Sequence, residues 1–512
     1  MGVFKKLAGD TAMYGMSSII GRTLNYFLVP LHTAVFLPAD FGVLSELYVY
    51  MAFLNILFTY GMETTFFRYA SRSEPEKSLQ VYRVILSFVL LTTIVFAGGL
   101  LWASPSLATL LGYPDKAHFL VWLVLILAVD TLAAIPFAWL RQANQAKKFA
   151  FIKIANVVVT VLLNLFFLYF CKNIAEGYFL PDWKPWVLRF YHPEWGIGYV
   201  FLANLLANVL VLFFLYRELA LFRFVWNWSF FRPMLQYGYP LLFMGLAGTV
   251  NSMIDRILLK YWLPADFYPG LSSIAVVGIY AACYKLSIFM SLTIQAFRYA
   301  AEPFFFGKAA DKNAPELFAQ VMKYFIIFCV VIWVVISLNL DILQVIFLRR
   351  EAYRQAIGLV PVLLFGQLLL GIYYNLTVWF KLKDQTHWGT KISFVGAFST
   401  LLLNLMLIPL GGYWGAAWAT VLSYALMGLI TYRLGQRHFP IPYAWTTISL
   451  HITAGAIIIL LAFLLPMQLS WQSFAWHLFL LGLYIAGVAW SERKLLQNLS
   501  SRFAKAPQTH AD

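Results

Sequence analysis

Fourteen apolar runs follow one another along the chain, each about long enough for a helix to cross a bilayer and each bounded by charged residues or by Gly and Pro. Their approximate limits are 11–36, 42–66, 84–104, 119–140, 150–171, 197–216, 237–261, 273–296, 318–340, 357–380, 391–410, 412–432, 445–466 and 474–490. A segment in lipid must satisfy its own backbone hydrogen bonds, which leaves only helices and closed barrels. Barrel strands need only about 10 residues of alternating polarity, and these runs are longer and do not alternate. The predicted class is therefore an all-α polytopic membrane protein with about 14 transmembrane helices. Composition agrees: 62% of the 512 residues are hydrophobic and 12% charged, whereas soluble domains carry roughly 25% charged residues. A soluble enzyme, a secreted disulfide scaffold and a fibrous protein are excluded. The run from Thr11 to Phe36 is longer than the apolar part of a signal peptide and lacks a small-residue cleavage site. It reads as a first membrane helix.

The net charge of +15 follows the rule that Lys and Arg collect on the cytoplasmic side. With the amino terminus inside, about 26 basic residues fall on inner segments and 8 on outer ones. Arg22, Arg256 and Lys285 remain within helices. Both termini are thus expected in the cytoplasm. No basic patch on a soluble module suggests nucleic acid. Cys171, Cys283 and Cys329 have neither metal-site nor redox spacing.

The chain repeats internally. Leu37-Pro38-Ala39-Asp40-Phe41 recurs as Leu263-Pro264-Ala265-Asp266-Phe267, shifted by 226, and Phe67-Arg68-Tyr69-Ala70 recurs as Phe297-Arg298-Tyr299-Ala300, shifted by 230. Tyr50 matches Tyr280 and Asn25 matches Asn251, with four residues inserted near Tyr268–Leu271. The second copy begins after an even number of spans, so both copies have one orientation, as in carriers whose halves are related by an axis along the membrane normal. The expected architecture is two parallel six-helix lobes, 1–232 and 233–440, around a central cavity. A C-terminal helix hairpin and cytoplasmic tail, 441–512, follow.

Several segments resemble the oligosaccharide flippases, the polysaccharide-transporter branch of the multidrug/oligosaccharidyl-lipid/polysaccharide exporter superfamily. They are Asn404-Leu405-Met406-Leu407-Ile408-Pro409 with Gly411-Gly412-Tyr413-Trp414-Gly415-Ala416-Ala417-Trp418-Ala419-Thr420, together with Gly61–Arg68, Gly278–Leu286 and Gly371–Lys381. The resemblance implies an alternating-access carrier in the bacterial inner membrane. It would turn over undecaprenyl-pyrophosphate-linked oligosaccharide for cell-surface polysaccharide synthesis. Membrane lipid would surround it, glycan polymerases or ligases would be its protein partners, and a monomer is expected. The same superfamily contains drug and cation antiporters, and a membrane glycan polymerase or ligase is the rival of a different class. Such enzymes need a large outer loop, of which Arg349-Arg350 is only an echo. No phosphate-binding glycine loop, HExxH pair or GxSxG elbow is present. No catalytic residue, metal or cofactor is expected, with H⁺ or Na⁺ as coupling ions.

An ionisable group inside a membrane costs roughly 2.5–3.5 kcal/mol on insertion scales, so each needs a partner or a wet cavity. Arg22, with Asn25 on the same helix face, is suited to grip pyrophosphate through paired hydrogen bonds. The alternative is neutralisation by Glu46 or Glu63 of the second helix. Shifted by 226, this face becomes Gly248, Asn251 and Asp255, acidic where the first is basic, which suggests a cation-responsive carboxylate at Asp255. Lys285, opposite Asn55 in the repeat, is either a second phosphate contact, or a lysine paired with Asp255 or snorkelling to an interface. The resemblance places it near a portal between helices one and eight. Arg256, one residue from Asp255, points about 100° away on a helix and is not expected to pair with it. Asp130 is either a proton site or a helix-end hydrogen-bond acceptor. The abundant Tyr and Trp read chiefly as interfacial anchors, with Tyr373, Tyr374 and Trp379 as candidate sugar contacts.

Overall fold

The computed structural model describes residues 19–24, 26–71, 74–309, 311–464 and 470–493. Regular structure among them is entirely helical, as uninterrupted apolar sequence in lipid demands. The first span is helical over 19–24 and again over α1, Leu28–Val35. The second span is broken. Helix α2, Pro38–Thr59, ends at Tyr60 and Gly61, both with left-handed backbone, and α3, Met62–Ala70, carries on to the inner side. Gly61 has φ +75, and an added methyl there would lie 2.8 Å from the Gly238 carbonyl; glycine meets both demands.

The rest of the first half comprises α4, Pro75–Leu110, α5, Ala117–Gln142, α6, Ala146–Leu165, and α7, Gly198–Phe214. Helix α5 packs on α4 and α7, and α7 also packs on α6. The second half opens with α8, Trp228–Trp262. The eighth span is bent by 47° between α9, Ser273–Leu286, and α10, Ile288–Lys308. Then come α11, Ala314–Leu338, α12, Leu340–Phe347, α13, Val360–Leu376, and α14, Val378–Leu382.

The helical stretch α15, His387–His438, holds 52 residues and would reach about 78 Å if straight. It is two spans. Gly412 leaves the helical region at φ 55 and ψ −129, and a methyl on Gly415 would lie 2.0 Å from the Leu407 carbonyl. Residues eight apart meet in this way only where the chain doubles back. Helices α16, Trp445–Ala462, and α17, Trp471–Ser491, form the terminal pair. Lys323 of α11 holds Glu492 at 2.8 Å, which ties this pair to the second half.

The two copies of the repeated word stand in a register that differs from the expected one. The first copy of the Leu-Pro-Ala-Asp-Phe word opens α2, with Pro38 at the first helical position. The second copy stays in a turn where Asp266 and Gly270 have positive φ. Helix α9 starts only at the Ser272 cap, whose side chain accepts from the Ala275 amide. A methyl on Gly42 would lie 1.9 Å from the Ile274 carbonyl, and one on Gly278 would lie 1.9 Å from the Pro38 carbonyl. This reciprocal crossing relates Pro38 to Ile274 and Gly42 to Gly278, a shift of 236. Lys285 then stands opposite Val49 instead of Asn55. The longer turn in the second copy causes the change.

Candidate functional site

Where α2 crosses α9, the two halves meet backbone to backbone at Gly42 and Gly278. With the amino terminus inside, as the charge count leads one to expect, span parity makes this the outer end. Further bonds join the halves beside it. The Tyr353 hydroxyl donates to the Phe36 carbonyl at 3.1 Å, the Thr33 hydroxyl donates to the Phe347 carbonyl at 2.7 Å, and Arg350 donates to the Ala34 and Val35 carbonyls. Glu46, fully buried, accepts two 2.9 Å bonds from Lys260 of α8, one of 2.5 Å from the Tyr113 hydroxyl and one of 3.0 Å from the Tyr50 hydroxyl. Lys260, counted from sequence among the outer loop charges, is thus one half of a buried ion pair between the halves. Its lone position at the end of an apolar run was the available signal.

The charges within the spans fall into two sets, and in the larger set each has a partner. Glu63 pairs with Arg141 and Glu302 with Lys381 at 2.5 Å, each bridging the inner ends of two helices of one half. Neither Glu46 nor Glu63 is left to neutralise Arg22. Asp255, 3% exposed, contradicts two expectations. Its carboxylate takes a 3.0 Å bond from the guanidinium of the adjacent Arg256 and a 2.6 Å bond from the Tyr280 hydroxyl. The Arg256 side chain folds back along the helix, also donating to the Ser252 carbonyl at 3.0 Å. Its length overcomes the 100° between neighbouring positions. Asp255 is therefore paired with Arg256 and Tyr280 in this structure, and not with Lys285. Asn251 is likewise occupied, donating to the Ser393 carbonyl and accepting from Thr400. Asp130 lies mid-helix in α5, not at a helix end, and accepts 2.8 Å from Asn208, which in turn accepts 2.8 Å from Asn156.

Arg22 and Lys285 form the second set. Both are exposed, and among the described residues neither has a hydrogen bond or an anionic partner. Lys285 lies deep among the helices, where it feels the charge of Arg256 and acts in turn on His32 of α1. The two basic groups flank one contact between the first and eighth spans, the edge-to-face pair Tyr26–Phe289 at 5.2 Å. Arg22 is four residues before Tyr26, and Lys285 is four before Phe289 across the 47° bend of the eighth span. The spans are antiparallel, so Arg22 lies a turn to the inner side of the contact and Lys285 a turn to the outer side. The buried Tyr26 hydroxyl, between them, has no hydrogen-bond partner among the described residues. Sequence reasoning missed Tyr26, although it follows the Arg22 face by one turn. Asn25 lies outside the described residues.

The three aromatic candidates separate. Trp379 is 1% exposed, stacks on His438 at 5.1 Å and packs on Gly435. It is core, not a sugar platform, because Gly435 lets its indole lie against the helix backbone. Tyr373 is also buried. Tyr374 is partly open and carries the Arg298 guanidinium over its ring at 4.1 Å.

Among the described residues no cluster of His, Cys, Asp and Glu could hold a metal. Comparison with solved structures finds a lipid II flippase MurJ in an inward closed conformation, with a TM-score of 0.71 and 13% identity over 95% of this chain and 100% of that one. A MATE transporter from Vibrio cholerae matches with a TM-score of 0.59 and 14% identity over 85% and 98%. A transporter of the MOP superfamily from Pyrococcus furiosus matches with 0.57 and 12% over 84% and 95%. No curated protein sequence matches. At these identities the likeness is one of fold, that of multi-pass membrane carriers. A family model described as polysaccharide biosynthesis protein matches residues 7–306, more than half of the sequence. The chain belongs to the polysaccharide biosynthesis protein family, built on the fold that MurJ and MATE transporters share.

Proposed function

We propose that the protein is a secondary carrier, not an enzyme, that flips undecaprenyl-pyrophosphate-linked oligosaccharide across the bacterial inner membrane. The observation that carries this reading is the pair Arg22 and Lys285, two cations without counter-ions among the described residues, beside the contact of the first and eighth spans. Unpaired charge within a membrane is costly, and a pyrophosphate between two such groups removes that cost. It is the charged part common to every lipid-linked sugar of this kind, so recognition there serves many glycans. The apolar tail stays in lipid. A cationic drug would be repelled by the same two groups, which argues against the antiporter reading.

The lobes are taken as 1–232 and 233–440, with 441–512 as an appended hairpin and tail and both termini in the cytoplasm. With the outer crossing closed, the inner side is the side of loading, and alternating access requires Gly42 and Gly278 to part. Asp130 is the coupling candidate, since the hydrogen bond it accepts comes from the neutral amide of Asn208.

Complementation of a flippase-deficient strain, with protein amounts checked by blot, tests the reading. The wild-type chain should restore glycan export and the Arg22→Ala, Lys285→Ala double variant should not. Full export by a normally expressed double variant would overturn it.

A further inference from the structure

The segment 172–196, between α6 and α7 on the outer side, is the longest connection and takes no part in the proposed transport site. It is short of regular structure but not of order. Four brief helical turns, Lys172–Glu176, Pro181–Trp183, Lys184–Val187 and Pro193–Trp195, run through it. Its inward side is fixed: Ile174, Val187 and Tyr191 are buried in the main core, Tyr191 stacks on Tyr199 at 4.7 Å, and the His192 amide donates to the Tyr199 hydroxyl at 2.6 Å.

The outward side is aromatic. Tyr178 is 81% exposed and Trp186 55%, with Phe179, Trp183 and Phe190 exposed beside them. This face is continuous with the lipid-facing stripe of α6, where Leu162, Phe166 and Tyr169 are also exposed. Helix α6 passes at Phe166–Cys171 into a π-helical turn, and there Phe166 lies parallel to Phe190 at 6.3 Å while Phe170 meets Phe179 at 5.8 Å. The rings thus climb from a membrane-spanning surface onto the loop without a polar break. The charges of the segment balance, with Lys172, Lys184 and Arg189 against Glu176, Asp182 and Glu194.

We infer that this segment is a membrane foot, lying in the outer interface of the bilayer with its rings inserted among lipid headgroups and the first part of the acyl chains. Aromatic side chains with one apolar and one polar end favour that level. A soluble face carrying this many contiguous exposed rings is not stable in water. Because the segment has no net charge, ring insertion holds it and anionic lipid is not required. The foot fixes the depth of the first half in the outer leaflet, beside the crossing that has to open.

The test is a nitroxide on Trp186→Cys in the full chain, reconstituted into liposomes of zwitterionic lipid. The native cysteines Cys171, Cys283 and Cys329 are buried and labelling of the unsubstituted chain is the control. A second label at Asp182→Cys, on the preceding turn and at a polar position, supplies the comparison. The expected result is that the label at 186 is relaxed several-fold more strongly by oxygen than by a water-soluble nickel complex, and that the label at 182 shows the reverse. Equal access of the nickel complex to both labels would overturn the inference by placing the segment in water. A label at 186 shielded from both reagents would also overturn it, because the face would then be covered by protein.

Discussion

The two ends of the seam between the halves use charge in opposite ways. At the outer end, α2 and α9 touch through glycine, and the nearby carboxylate Glu46 is saturated by Lys260 and two tyrosines. Towards the other end, along the first and eighth spans, Arg22 and Lys285 have no carboxylate partner among the described residues. A buried pair that bridges two bodies holds them together, and removing one member leaves an uncompensated charge. An unpaired cation beside an accessible space does nothing for the closed fold and much for an anion that arrives. On the proposed function, closure and recognition are carried by different residues, and substitutions should separate them.

The largest expected effect comes from breaking the crossing itself. Gly278→Leu places a side chain where even a methyl would lie 1.9 Å from the Pro38 carbonyl, so the outer end cannot close. Export should be lost, and a cysteine at the buried Val43, replaced as Val43→Cys, should become reactive to an impermeant thiol reagent from outside. Continued shielding of that cysteine would show that the crossing does not close the outer path.

The buried pair comes next. Lys260→Met should destabilise the closed form by about 3–5 kcal/mol, the usual cost of leaving one charge of a buried pair alone, read as a lower thermal midpoint in detergent. The double replacement Glu46→Leu, Lys260→Met should recover much of it. A single variant as stable as the wild type would mean that the pair does not hold the halves together.

The smallest effect on stability is expected at Asp130. Asp130→Asn removes the charge but keeps a side-chain acceptor for Asn208, so the fold should change by about 1 kcal/mol or less. Dependence of export on the proton or sodium gradient should nevertheless disappear. Unchanged gradient dependence would assign Asp130 to packing.

Most of the fold was legible because lipid permits so few structures. Apolar length located the spans, including the two in α15 that a single helical assignment joins, since Gly411 and Gly412 interrupt the run at the turn. The break at Tyr60 and Gly61 was not legible, because it answers to the approach of Gly238 from a distant helix. The site was half legible. Arg22 and Lys285 stand out as charges in apolar runs, but which charges pair depends on side-chain reach and on neighbours from other spans. That is why Arg256, assigned to another face than Asp255, nevertheless binds it, and why Lys260 passed for a loop residue. The buried Trp379 is explained by Gly435, 56 residues away in sequence, which no local pattern connects to it.

The central claim is that Arg22 and Lys285 bind the charged head of a polyprenyl-pyrophosphate lipid. Native mass spectrometry of the purified full chain, titrated with undecaprenyl pyrophosphate, tests it most directly. Each charge-assisted contact contributes about 1.5–3 kcal/mol, so the Arg22→Ala, Lys285→Ala variant should bind at least about tenfold more weakly than the wild type. A chain bearing a neutral polyprenol should be indifferent to the substitutions. Equal affinity of both proteins for the pyrophosphate lipid would contradict the account.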